Sequence, residues 1–133
     1  MEIRVTPEKI TSIQDGEVFV FGSNQSGRHG AGAARLALSW GAKWGQSGGL
    51  QGKTYGIPTK NASITKTLAV RVIKTYVDEF IEFAKNHTDL KFYVTEIGCG
   101  LAGYTPKDIA PLFIEAINVE NIYLPERFWK FLK

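Results

Sequence analysis

The chain has 133 residues, of which 44% are apolar and 22% charged, with a formal net charge of +3. That length fits one domain, able to bury roughly two-thirds of the surface its unfolded chain would expose, and the balance is globular rather than disordered or fibrous. Apolar runs are too short to cross a bilayer, no signal-peptide core follows Met1, and one cysteine with two histidines excludes an internal disulfide framework and a protein-only zinc site of familiar spacing; a cytoplasmic protein is expected.

Met1 to Val5 has the pattern of an edge strand. Glu17-Val18-Phe19-Val20-Phe21 is a continuous apolar run ended by Gly22-Ser23-Asn24, which predicts a buried strand. A helix follows over 30–40, with Ala33, Leu36, Ala37 and Trp40 at helical spacing. Residues 41–52 form a loose stretch rich in Gly, Ser and Gln. A short strand over 54–57 is closed by Pro58, and the longest helix is predicted from Ile64 to Asn86. A strand over 91–97 ends at Gly98.

Thr105-Pro106-Lys107-Asp108 is a helix start, with a threonine cap, proline at the first position and an acid at the third. Ile109, Leu112, Phe113, Ala116 and Ile117 complete its apolar face. A strand over 121–124 and a final helix opened by Pro125, with Phe128, Phe131 and Leu132 inward, close the chain. Alternating strands and helices predict a sheet with helices on both faces, whose ligands lie beyond the carboxyl ends of the strands.

Charge and glycine are both segregated. From Val18 to Val77 there is no acid, yet Arg28, Arg35, Lys43, Lys53, Lys60, Lys66, Arg71 and Lys74 all fall there, which favours an anionic partner. Ten of the 14 glycines lie between Gly22 and Gly56, and three more are Gly98, Gly100 and Gly103. Glycine serves tight turns and close backbone approach.

Three segments beyond strand ends therefore carry the chemistry. Phe21 to Ala34 runs a strand through a glycine loop into a small-residue helix, which offers free N–H groups to an anion or serves only as a tight turn. Pro58-Thr59-Lys60 places a lysine in the basic block; spacing alone favours a phosphate-contacting or exposed lysine over a nucleophilic amine. Ile97 to Tyr104 offers a backbone cradle for a diphosphate; Cys99 is a nucleophile beside His29 or a space-filler, and Tyr104 stacks on a ring or closes the loop. Gly52-Lys53-Thr54 imitates the end of a P-loop, but position 47 is Ser47 and the segment feeds a strand, so that motif is rejected. Trp40, Trp44 and Tyr55 are assigned to core rather than to base stacking.

These segments resemble the macrodomain superfamily, which binds ADP-ribose. Phe21 to Ala34 is similar to its asparagine loop, which implies that Asn24 contacts the distal ribose beside the Gly30-Ala31-Gly32 run. Ile97 to Tyr104 is similar to its phosphate loop, and Ile-Gly-Cys-Gly-Leu is closest to the branch that removes ADP-ribose from proteins or DNA by means of a lysine, here Lys60. A small bacterial and phage family of macro-like proteins shares the Phe-Gly-Ser-Asn, Gly-Leu-Gln-Gly and Ile-Pro-Thr-Lys wording. Two positions depart from the pattern: Asp15 is not in the context of the adenine-binding aspartate, and Ala102 stands where some lysine-dependent members carry an acid.

The resemblance implies a three-layer α/β/α sandwich with a mixed, mostly parallel sheet. Its ligand set is Gly22, Ser23, Asn24, His29, Gly30, Ala31, Gly32, Pro58, Thr59, Gly98, Cys99, Gly100, Leu101, Ala102, Gly103 and Tyr104, with Lys60 as the catalytic group. No metal or cofactor is required. The partner is an ADP-ribose-like molecule or an ADP-ribosylated macromolecule, bound with or without hydrolysis; nucleic acid bound by the basic block is the alternative, and no membrane is involved.

Overall fold

A computed structural model describes residues 3–100 and 102–132. Five strands form one sheet: β1 (Glu17–Asn24), β2 (Gly49–Gln51), β3 (Thr54–Lys60), β4 (Lys91–Val94) and β5 (Ile122–Tyr123). Their order is β2-β3-β1-β4-β5. Only β2 is antiparallel to its neighbour; β1 pairs in parallel with both β3 and β4, and β5 runs parallel to β4. The carboxyl ends of β1, β3 and β4 therefore lie along one edge.

β1 is a near-continuous apolar run because both faces of a central parallel strand are covered. Val18 and Val20 enter one core with Ile73, Val77, Phe80, Phe92, Phe113 and Phe128. That core lies under α2 (Val70–Lys85), α3 (Pro106–Ile109), the 3-10 segment Ala110–Asn118 that extends it, and α4 (Glu126–Trp129). Phe80 sits at its centre, with ring centroids 5.1 Å from Tyr55 and 5.4 Å from Phe92, edge-to-face arrangements that add about 0.5–1.5 kcal/mol each beyond burial. Phe19 and Phe21 point to the other face, where Ala34 and Ala37 of α1 (Gly32–Ala37), Ala42 after it and Ile13 from the segment before β1 cover them. Helices on both faces of the mixed, mostly parallel sheet make a three-layer α/β/α fold.

Several boundaries differ from expectation. The helix expected over 30–40 is α1 followed by a 3-10 turn, Leu38–Trp40. β2 arises within the stretch expected to be loose. Pro58 does not close β3: it lies beyond Gly56, the last β3 residue paired with β2, and beside the irregularity at Ser23/Asn24, so its missing N–H costs no ladder bond. The long helix begins at Val70 rather than Ile64, because the Asn61 side chain accepts the Thr65 and Lys66 N–H groups (3.0 and 3.2 Å) and Lys60 pairs with Thr67. In the last helix Trp129 is buried and Phe131 exposed, the reverse of an inward Phe131. The N-terminal edge is a single parallel bridge, Val5 to Leu124; Met1 and Glu2 lie outside the described residues.

Candidate functional site

The loops that follow β1, β3 and β4 meet at one cavity of about 490 Å³. Gly22 marks the junction: a Cβ there would lie 3.5 Å from Thr59 Oγ1 and 3.6 Å from the Gly98 nitrogen. Thr59 Oγ1 donates to the Ser23 carbonyl (3.3 Å), and Ser23 Oγ donates to the Ser47 carbonyl, which ties β1 to the 41–48 segment.

Asn24, buried at the end of β1, shapes the first loop. Its Oδ1 accepts from Ser26 Oγ (2.8 Å) and the Arg28 N–H (2.9 Å), and its Nδ2 donates to the Arg28 carbonyl (2.7 Å). Gly27 has φ +70°, and a Cβ there would sit 2.5 Å from the Gln46 nitrogen, so only glycine lets this loop stack on the next one. Arg28 Nη2 reaches the Ala62 carbonyl (2.8 Å) and spans the gap to the loop after β3. Gly30, Ala31, Gly32, Ala33 and Ala34 then form one wall. The first intrahelical bond of α1 runs from Arg35 N to the Ala31 carbonyl (3.3 Å), so the N–H groups of Gly32, Ala33 and Ala34 have no intrahelical acceptor.

The second loop brings Thr59, Lys60 and Ile64 to the cavity. The Lys60 ammonium has no hydrogen-bond or ion-pair partner among the described residues. Ile64 adopts φ +59°, a left-handed conformation that a β-branched residue adopts at a cost of about 1–3 kcal/mol.

Thr95, Glu96, Ile97, Gly98, Gly100 and Ala102 form the third side. Glu96 is the one carboxylate among the described lining residues. Arg127 binds it through two bonds of 2.7 and 2.6 Å, which hold its carboxyl below the usual range despite the opposing effect of burial. Gly98 has φ +74°, and a Cβ there would press on Ile109 Cδ1 at 3.1 Å. Burial, with the Glu96 charge adding, pushes the Cys99 thiol up to about 11, so it is protonated at neutral pH.

Of the residues expected at the ligand, the cavity brings together Gly22, Ser23, Asn24, Gly30, Ala31, Gly32, Thr59, Lys60, Gly98, Gly100 and Ala102. His29, Pro58, Cys99, Gly103 and Tyr104 do not line it. His29 is fully buried; its ring stands edge-on to Phe21, and its Nε2 lies 2.9 Å from the Lys43 carbonyl, which fixes the proton on Nε2. Its Nδ1 has no partner among the described residues, and no hydrogen bond joins it to Cys99, whose Sγ faces the Ile97 carbonyl at 3.4 Å. Pro58 is buried, with its Cδ 3.6 Å from where a Gly48 Cβ would stand. Gly103 turns the chain at φ +91°. Tyr104 closes the loop, donating from its hydroxyl to the Leu68 carbonyl (2.8 Å). Leu101 lies outside the described residues.

Arg28, Ala33, Ala34, Trp44, Ile64, Thr95, Glu96 and Ile97 line the cavity without having been singled out for it. Arg28 is the first cation of the acid-free block, a signal present in the sequence, whereas Trp44, expected in the core, is exposed at the cavity because no apolar periodicity in its glycine-rich segment turns it inward. Nothing local marks Ile64 or Glu96. No cluster of three or more His, Cys, Asp or Glu that could hold a metal occurs among the described residues. No helix among them is long and apolar enough to cross a membrane. Among the described residues the arrangement offers backbone donors, one unpaired ammonium and a guanidinium to an anion, while its one carboxylate, Glu96, is held by Arg127. No protein-family profile, no curated protein and no solved structure matches the chain.

Proposed function

We propose that the chain binds ADP-ribose or a related nucleotide diphosphate in this cavity, as its resemblance to macrodomains implies. The observation that carries the reading is the convergence of three strand-end loops on one small-molecule-sized space whose unneutralised side-chain charges, Lys60 and Arg28, are both positive. The diphosphate would lie against the Gly30–Ala34 and Gly98–Gly100 backbone, with Lys60 supplying a charge-assisted contact.

Hydrolysis through Lys60 is a second reading, favoured by the unpaired amine. After losing its proton to solvent, the amine would attack the anomeric carbon of the distal ribose and displace the linked group; water would then free the sugar. Binding ranks first, because Glu96 is held by Arg127 and Ala102 offers no acid.

Calorimetric titration with ADP-ribose, with AMP and NAD as controls, at two salt concentrations tests both. Saturable binding selective for ADP-ribose is expected, weakening moderately with salt. If turnover exists, Lys60→Ala abolishes it while saturable binding persists; unchanged turnover in that variant would remove the lysine mechanism. Absence of binding at millimolar ligand overturns the reading, and a steep salt slope with single-stranded nucleic acid would favour the basic block as a nucleic-acid surface instead.

A further inference from the structure

Trp44 is 62% exposed, yet it is held in place. The buried His29 meets its ring edge-on at 6.3 Å and 78°, and the same imidazole binds the carbonyl of Lys43, the residue just before it. Phe21 in turn fixes His29 from the sheet. On the other flank of the Arg28 loop, Ile64 reaches the same cavity from a strained backbone, in a turn tied by Asn61 and by the Arg28–Ala62 bond. Nine large apolar side chains are exposed among the described residues, and of these only Trp44 and Ile64 line this cavity. An apolar rim therefore adjoins the backbone donors and cations of the interior.

Apart from the Lys60 ammonium and one Asn24 amide N–H, the polar side chains on the wall each hold a protein partner. Ser23, Thr59 and Thr95 donate to backbone carbonyls, Asn24 holds Arg28, and Glu96 holds Arg127. A ring at the rim would meet the exposed Trp44 and, apart from Arg28 and Lys60, few groups able to read the hydrogen-bonding edge of a base.

We propose that Trp44 is a specificity-determining residue, a stacking platform that makes the cavity select ligands bearing a planar nucleobase without selecting which purine. The proposal rests on the reading that the cavity holds a phosphorylated nucleotide. Aromatic stacking is tolerant of base identity because every base presents a π-face, and larger rings stack more strongly.

The test is calorimetry of wild type, Trp44→Ala and Trp44→Phe with ADP-ribose, ADP, GDP, UDP and inorganic pyrophosphate, with tryptophan fluorescence followed in parallel. ADP and GDP are expected within about threefold of each other and UDP weaker. Trp44→Ala is expected to weaken every nucleotide about ten- to hundredfold while leaving pyrophosphate within about twofold. Trp44→Phe recovers most of the loss. Nucleotides, and not pyrophosphate, quench the fluorescence of wild type. Because Trp44 is exposed, the variants are expected to keep the wild-type melting temperature, and the phenylalanine variant separates loss of stacking from loss of the loop. Nucleotide affinity unchanged in Trp44→Ala overturns the platform and leaves the binding function standing. ADP preferred to GDP by more than about tenfold overturns base tolerance. A wild-type protein that binds none of the five ligands overturns the binding function and the platform together.

Discussion

Asn24 holds its own loop with three hydrogen bonds, which leaves one amide N–H for a ligand. Its first effect on the cavity is thus to place Arg28. Cys99 is removed from chemistry in a different way. A thiol pushed up to about 11 is neutral below that pH, so its thiolate fraction grows about tenfold per unit until then. Iodoacetamide at pH 8 should modify Cys99 at least about tenfold more slowly than free cysteine, with the rate climbing towards pH 11, and Cys99→Ala should bind ADP-ribose as wild type does. Fast labelling at pH 7 would contradict the burial argument. At this scale the sequence placed Lys60 beside the cavity, because a lysine that ends a strand lies at the strand's carboxyl end, where the loops meet. It hid Trp44, because an aromatic's type says nothing of its exposure, and a glycine-rich segment has no periodicity from which to infer a face. Asn24 was legible as a position and not as a role, since its partners lie in a turn that only the folded loop creates.

Elements are specified less by their interiors than by their ends. Asp108 Oδ2 accepts from the Thr105 N–H (3.0 Å) and its hydroxyl (2.9 Å), so the start of α3 was visible in four consecutive residues. The start of α2 was not. The helix is expected from Ile64, but the Asn61 side chain takes two N–H groups that a helix would need, and a local side-chain bond of this kind outcompetes helix formation. Pro58 misled for the opposite reason: proline ends a strand only where its N–H is wanted. Gly98, which links β4 to the cavity, combines φ +74° with a 3.1 Å approach to Ile109 Cδ1, so both conformation and space oppose a side chain. Gly98→Ala is expected to lower stability by about 1–3 kcal/mol, read from the urea midpoint, and to weaken ADP-ribose through the displaced loop. A variant with wild-type stability would show that the loop can relax without cost.

Across the whole molecule the two faces of the sheet are covered unequally. Among the described residues, twenty-four buried ones form the core beneath α2, α3 and α4, and six form the core beneath α1. Leu36 and Leu38 remain exposed on the thinner side. The continuous apolar run of β1 and the alternation of strands with helices predicted two covered faces, but the inequality was illegible, because it depends on how far each helix persists and α1 stops after six residues. A layer with so little buried apolar area opens more readily than the rest of the domain. Its first residues, Gly32 to Ala34, are also cavity wall, so the locally opened form has no intact site. A ligand at about a hundred times its dissociation constant should then hold that layer shut by about 2.7 kcal/mol, slowing amide hydrogen exchange in α1 about a hundredfold while the amides of α2 continue at their own rate. Equal protection of both helices would mean that the layers open as one unit. Unequal protection would make α1 a built-in gauge of occupancy, able to report even a ligand that is never chemically changed.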